Sequence, residues 1–374
     1  MNEVKKKAVI ISGDGNTIYW FRRELISELQ KINYEVHALA PDIKDEYLES
    51  LNLTNVKFTK LDLKRKTINI FDSAISFFDI RKIFIKLDPS LLIAYTLKTV
   101  FLTGLSLRFL NINNSIALIT GLGHIFNDSS YAGQLKKLLV IASLRFTIPS
   151  YRLVFFQNSD DKMVFIKYKI VRPEQIRMMN GSGVNLDSFR KTELVPQPVF
   201  LCISRLIKSK GLLEYAKAAH LIKSDYPNAR FLLYGYPDSH SDSIDEKEII
   251  NSWKSTYGIE YCGFCMRPEE TIARASVFVL LSHHEGTPRV VLEAMATGLP
   301  IITTDAPGCK ETVKHGLNGF LVPVGDYKSA SKQMKKLMDK NLRISMGEAS
   351  RKLAEEKFDV KIVNKLLIKE IHIT

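Results

Sequence analysis

Short apolar runs alternate with longer amphipathic stretches along this whole chain, and the alternation starts over once. Residues 8–12, 35–40, 56–61, 91–94, 115–120, 153–157 and 176–179 each read as a buried strand. Between them, residues 18–30, 71–86, 100–110, 135–146 and 160–168 repeat apolar positions at helical spacing. Strands alternating with helices in this way predict an α/β fold with a parallel, doubly wound sheet. Residues 181–198 then interrupt the pattern with Gly181, Ser182, Gly183, Pro196 and Pro198, which marks a linker. Strands resume at 199–204, 230–234, 259–261, 277–281 and 301–304. Helices resume at 211–223, 243–257, 268–274, 327–338 and 341–356, and Phe358-Asp359 interrupts the chain before a final helix at 360–371. A chain of 374 residues also exceeds one average core, so two domains are expected.

The chemistry concentrates between Val277 and Pro323. There an apolar strand runs into the polar loop His283-His284-Glu285-Gly286-Thr287, then a helix start, then a second strand. Ligands of such units bind at the carboxyl ends of the strands, where this loop sits. Gly286 permits close backbone approach, and Pro288 suits the first helical position. The amides that follow would face an anion. Glu285 and Glu293 stand eight positions apart, which along a helix is a rotation of about 80° and a rise of about 12 Å. The two carboxylates would touch different parts of one elongated ligand. A molecule with hydroxyls at both ends and phosphate between them, such as a nucleotide sugar, fits that description.

Glu285 to Glu293 resembles the E-x7-E motif of the retaining glycosyltransferases of family 4, also called glycosyl transferases group 1. The flanking Ala294-Met295-Ala296-Thr297-Gly298-Leu299-Pro300-Ile301-Ile302 and Asn318-Gly319-Phe320-Leu321-Val322-Pro323 are similar to the same family. The resemblance implies the GT-B architecture: two Rossmann-like doubly wound domains facing a central cleft, with a C-terminal helix crossing back to the first. The expected division is 1–190 for acceptor binding, 191–356 for nucleotide-sugar binding, and 357–374 for the crossing helix. Family members bind the donor diphosphate with an Arg and a Lys five positions later, which match Arg205 and Lys210. Cations there would stabilise the charge on a departing nucleotide. The resemblance thus implies Arg205, Lys210 and Glu285 as catalytic. It implies Gly13, Gly286, Thr287, Arg289, Val290 and Glu293 on the donor, with Glu293 on the ribose hydroxyls. Asn16 and His124 fall on the acceptor or donor-sugar side.

The remaining features bound the reading. Gly13-Asp14-Gly15-Asn16 has Ile18 where a third glycine of a dinucleotide fingerprint would stand. No Asp-x-Asp motif stands out, and the adjacent His283 and His284 lack the spacing of a metal pair, so no metal and no cofactor are expected. Four cysteines argue for a reducing compartment. Cys262-Gly263-Phe264-Cys265 copies a redox motif in the wrong context.

The net charge of +13 resides mostly in residues 1–190, which hold 27 basic and 18 acidic residues. That excess suits an anionic membrane surface or phosphorylated acceptor, or simple lysine solvation, and no nucleic-acid partner is inferred. Residues 77–86 and 136–146 mix cations with apolar bulk. Each reads as a lipid-docking helix or as a core helix with snorkelling lysines. No run is long enough for a signal peptide or a membrane span.

The expected activity is transfer from a nucleotide sugar, a UDP-sugar above all, to a lipid-linked, lipopolysaccharide, capsule or O-antigen saccharide. The expected place is the cytoplasm, peripheral at the inner face of a bacterial plasma membrane. A glycogen- or sucrose-type transferase, a sugar-nucleotide epimerase and a silent scaffold subunit on the same fold are the alternatives.

Overall fold

A computed structural model describes residues 5–63, 70–122, 126, 130–237 and 242–372. The chain forms two compact units. One holds the N-terminal residues through Ser182 and also Val363 onward; the other runs from Gly183 to Ile362. The residues just before 190 belong to the second unit because Val184, Leu186 and Phe189 pack into its core. Gly183 lies so close to Val360 that a Cβ would stand 2.6 Å from its Cα.

The first unit runs β1 (Lys6–Ser12), α1 (Gly15–Lys31), β2 (Tyr34–Ala40), α2 (Asp45–Leu53), β3 (Lys57–Lys60), α3 (Ile70–Leu87), β4 (Leu91–Tyr95) and α4 (Leu97–Leu107). It continues through β5 (Ser115–Ile119), α5 (Tyr131–Thr147), β6 (Leu153–Phe156), α6 (Ser159–Lys167) and β7 (Ile176–Met178). Its sheet has the order β3-β2-β1-β4-β5-β6-β7, with every pair parallel. Side chains alternate across a strand, so a sheet covered on both faces needs apolar residues at consecutive positions. That is the composition of β1: Val9 and Ile11 enter one core, Ala8 and Ile10 the other.

The second unit runs β8 (Val199–Ile203), α7 (Leu212–Lys223), β9 (Arg230–Tyr234), α8 (Glu246–Glu248), α9 (Lys254–Tyr257), β10 (Ile259–Tyr261) and α10 (Pro268–Ala273). Then come β11 (Val277–Leu280), α11 (Arg289–Thr297), β12 (Ile301–Thr304), β13 (Gly319–Val322), α12 (Tyr327–Lys336), α13 (Lys340–Leu353) and α14 (Val360–His372). Its parallel sheet is ordered β10-β9-β8-β11-β12-β13. Phe200 and Cys202 face one core and Val199 and Leu201 the other, the same device as in β1.

From Val363 on, α14 belongs to the first unit, where Val363, Leu367 and Ile371 are almost fully buried. Burial of each contributes about 1.5–3 kcal/mol. The helix is also held at its end. Asn114 Nδ2 donates to Ile371 O at 3.2 Å, and Arg177 Nε lies 3.0 Å from Glu370 Oε2. Among the described residues no helix is long and apolar enough to cross a membrane.

All four cysteines are free. Burial raises the thiols of Cys262 and Cys265 above their ordinary value, which opposes the thiolate that redox chemistry needs. Cys202 and Cys309 are pushed up to about 12 by burial. A thiol reagent at neutral pH is therefore expected to label Cys262 alone and slowly, faster as pH rises, and all four sites only in urea. Rapid labelling of two thiols in the native protein would contradict this account.

Candidate active site

The second sheet reverses its direction of growth beside β8. The chain moves outward from β8 to β9 and β10, then returns to place β11 on the other flank. Ligands of open α/β sheets bind beyond the carboxyl ends of strands at such a reversal. The loop after β8 carries Arg205 and Lys210, and the loop after β11 carries Glu285. These two loops lie against each other: His283 N donates to Ser209 O at 2.9 Å, and Ser282 Oγ donates to the same carbonyl at 3.3 Å.

Across this contact Lys210 Nζ donates to Glu285 Oε1, closing an ion pair between residues 75 apart in sequence. Both side chains are mostly buried, 13% and 15% exposed. An ammonium carries three N–H donors, and Glu285 engages one. Arg205 sits half-buried at the start of the same loop. Asp242 steadies the loop from outside, accepting from Ser209 Oγ at 2.8 Å.

Two glycines make this approach possible. Gly211 follows Lys210 with φ +67, and a Cβ there would stand 2.0 Å from Leu281 O. Gly308, in the loop after β12 with φ +80, would bring a Cβ to 2.2 Å from Glu285 O and 2.4 Å from Gly286 O. Glu285 N in turn donates to Pro307 O at 2.9 Å. Three loops, after β8, β11 and β12, are thus fastened backbone to backbone. His283 Nε2 lies 3.7 Å from Glu214 Oε1, and the neighbouring imidazole holds that carboxyl below its ordinary value.

The two glutamates do not share the helical geometry expected of them. Glu285 lies in the loop, four residues ahead of α11, so no helical rotation relates it to Glu293. Pro288 is the residue capping α11 rather than its first helical position. Glu293 sits one turn inside the helix, nearly buried, and accepts from Arg289 Nε at 3.0 Å. Gly286 is buried, while Thr287 and Val290 are half-buried at the helix entrance. The helix positive end therefore opens beside Lys210 and Glu285.

The first unit has a comparable reversal between β1 and β4. Gly13 N donates to Thr96 Oγ1 at 3.2 Å. Thr96, at the end of β4, holds φ +71, a costly conformation for a β-branched residue and one concentrated at ligand sites. Tyr95, Thr17 and Ser12 extend a hydroxyl chain beneath this turn. Gly15 is the tighter glycine: its Cβ would meet Asp42 O at 2.4 Å. Asn16 Oδ1 accepts from the Lys44 amide at 2.9 Å and so fastens the loop after β2. His124 lies outside the described residues.

Gly211, Gly308, Glu214 and Thr96 were not foreseen. The pair Pro307-Gly308 marks a turn in the sequence but not the backbone that it approaches. Glu214 and Thr96 carry no sequence signal.

Comparison with known proteins defines the class first: this is the GT-B fold. The crystal structure of Anabaena HepE in complex with UDP and glucose aligns over 99% of this chain and 100% of that one, with TM-score 0.78 at 15% identity. Residues 185–353 match the family model described as Glycosyl transferases group 1. Residues 185–353, most of the second unit, therefore form a domain of that family, glycosyltransferase family 4, and the chain is a glycosyltransferase. It is 25% identical to the N,N'-diacetylbacillosaminyl-diphospho-undecaprenol alpha-1,3-N-acetylgalactosaminyltransferase of Campylobacter jejuni subsp. jejuni, covering 90% of this chain and 91% of that one. It is 32% identical to the capsular polysaccharide biosynthesis glycosyltransferase CapM of Staphylococcus aureus, over 43% of this chain and 42% of that one.

Proposed function

We propose that this glycosyltransferase moves a sugar from a UDP-sugar to a lipid-linked saccharide of surface-polysaccharide assembly, with retention of configuration and without a metal. The observation that carries the reading is the Lys210–Glu285 pair beside the amino end of α11, at the reversal point of the second sheet. Breaking a sugar–diphosphate bond leaves negative charge on the nucleotide. Lys210, Arg205 and the α11 amides are a cationic and dipolar set suited to stabilise it. Front-face displacement follows: the departing phosphate oxygen accepts the proton of the attacking hydroxyl, and no protein nucleophile is needed. Glu285 orients Lys210 and faces the donor sugar, and Glu293 holds the ribose hydroxyls. In this reading the second unit binds the donor and the first unit the acceptor. The acceptor class is supported by the Campylobacter relative, whose activity concerns a diphospho-undecaprenol-linked sugar.

UDP release should be measured from a panel of UDP-sugars with a polyprenyl-diphospho-saccharide acceptor. Turnover is expected with one donor far above the rest, and unchanged by EDTA. Turnover only with a soluble glucan or sugar phosphate would replace the acceptor. Abolition by EDTA would end the metal-independent mechanism.

A further inference from the structure

On one side of the first sheet, α3, α4 and α5 pack together, and the apolar residues of α3, α5 and the turn after α4 divide between two destinations. Ile80, Phe84, Leu102, Ile141 and Leu144 are buried in the core beneath. Phe78, Ile85, Phe109, Leu138, Leu139 and Phe146 point the other way, each 51–65% exposed. The core therefore leaves a set of large apolar side chains on these helices uncovered.

The aromatic members of the exposed set are linked. Phe77 bridges Phe78 to Phe109, with ring centroids 5.2 and 6.3 Å away. Next to Phe109, the Arg108 guanidinium stands 4.3 Å over the Phe146 ring and donates to Phe146 O. Along α5 the positions 135, 139, 142 and 146 recur at helical spacing, and so do 75, 78, 82 and 85 along α3. A patch of this kind on a folded surface marks an interaction site rather than chance exposure.

Its charge selects the partner. Lys82, Lys86, Arg108, Lys136 and Arg145 are exposed among the apolar side chains. Residues 97–110 and 131–147 contain no acidic residue, and α3 contains only Asp72 and Asp79. Apolar residues ringed by cations suit a bilayer with anionic headgroups: the rings and leucines enter the acyl boundary and the cations stay at the headgroups. A protein partner's core contact would instead be depleted of charge.

We propose that the outer face of α3, the end of α4 and α5 is the surface by which the enzyme docks on anionic lipid. The proposal rests on the membrane-acceptor reading above and locates the contact.

The test uses the full chain and vesicles of phosphatidylcholine and phosphatidylglycerol in equal parts. Wild-type protein is expected to sediment with them, less so as salt rises. The triple variant F78E/L138E/L139E is expected to lower the partition coefficient about tenfold or more. K82A/K86A/K136A is expected to flatten the salt dependence. Both variants should keep the wild-type circular dichroism and UDP release in detergent, since none of these residues lies in the donor site. If wild type ignores every vesicle, the membrane reading falls and this surface with it. If wild type binds and F78E/L138E/L139E binds equally, the membrane reading stands and this surface is wrong. A wild-type dimer that the triple variant converts to monomer without loss of lipid binding would also overturn it, making the face a contact between copies.

Discussion

Lys210→Ala is expected to lower donor turnover by about 10²–10³-fold, with most of the loss in kcat. Lys210 is paired with Glu285, four residues ahead of α11, and that pairing fixes the ammonium in place. A group that stabilises charge arising only in the transition state affects kcat more than KM. The substitution also removes the ammonium from the mostly buried Glu285 carboxylate, at a cost of about 1–3 kcal/mol. Activity should therefore be measured well below the melting transition. Lys210→Arg keeps the charge and should recover part of the rate. Turnover by Lys210→Ala within twofold of wild type would remove Lys210 from the mechanism.

Gly211→Ala should destabilise the second unit by about 2–5 kcal/mol. About 1–2 kcal/mol comes from forcing an L-residue into the left-handed region. About 1–3 kcal/mol more comes from the methyl pressed against Leu281 O. Gly263→Ala is the internal control. Its φ is also positive, at +73, but nothing lies within 4 Å of a Cβ there. It should cost only the conformational part. Urea unfolding followed by Trp253 fluorescence reads both, since Trp253 is buried in this unit. Equal midpoint shifts for the two variants would mean that the Leu281 contact is not what requires glycine at 211. Gly211→Ala should also slow turnover in folded protein, because it displaces the residue next to Lys210.

The strands and helices were legible because each sheet is covered on both faces, which demands unbroken apolar runs such as residues 8–11 and 277–281. Helix α2 escaped notice for the opposite reason: of its nine residues only Leu51 is buried, so it has no apolar stripe to read. Strand β13 is short and begins with Gly319, and it was read only as part of a motif. The site divides in the same way. Residue types close together in sequence, such as those from Glu285 to Glu293, announced themselves. The Lys210–Glu285 contact spans 75 positions and depends on how strands 8 and 11 neighbour each other, which spacing does not encode. Treating both glutamates as helical assumed a boundary that Pro288 moves to Arg289.

The shared helix α14 has a consequence for biogenesis. Synthesis delivers the first unit's strands early, but Val363, Leu367 and Ile371 emerge only after the entire second unit. Until then one side of the seven-stranded sheet lacks part of its cover, and Ile10, Leu25 and Phe155 share the core left open. Folding on the ribosome cannot finish domain by domain in the usual order. The nascent first unit is the species that a holding chaperone would meet, and its maturation waits on the carboxyl-terminal helix.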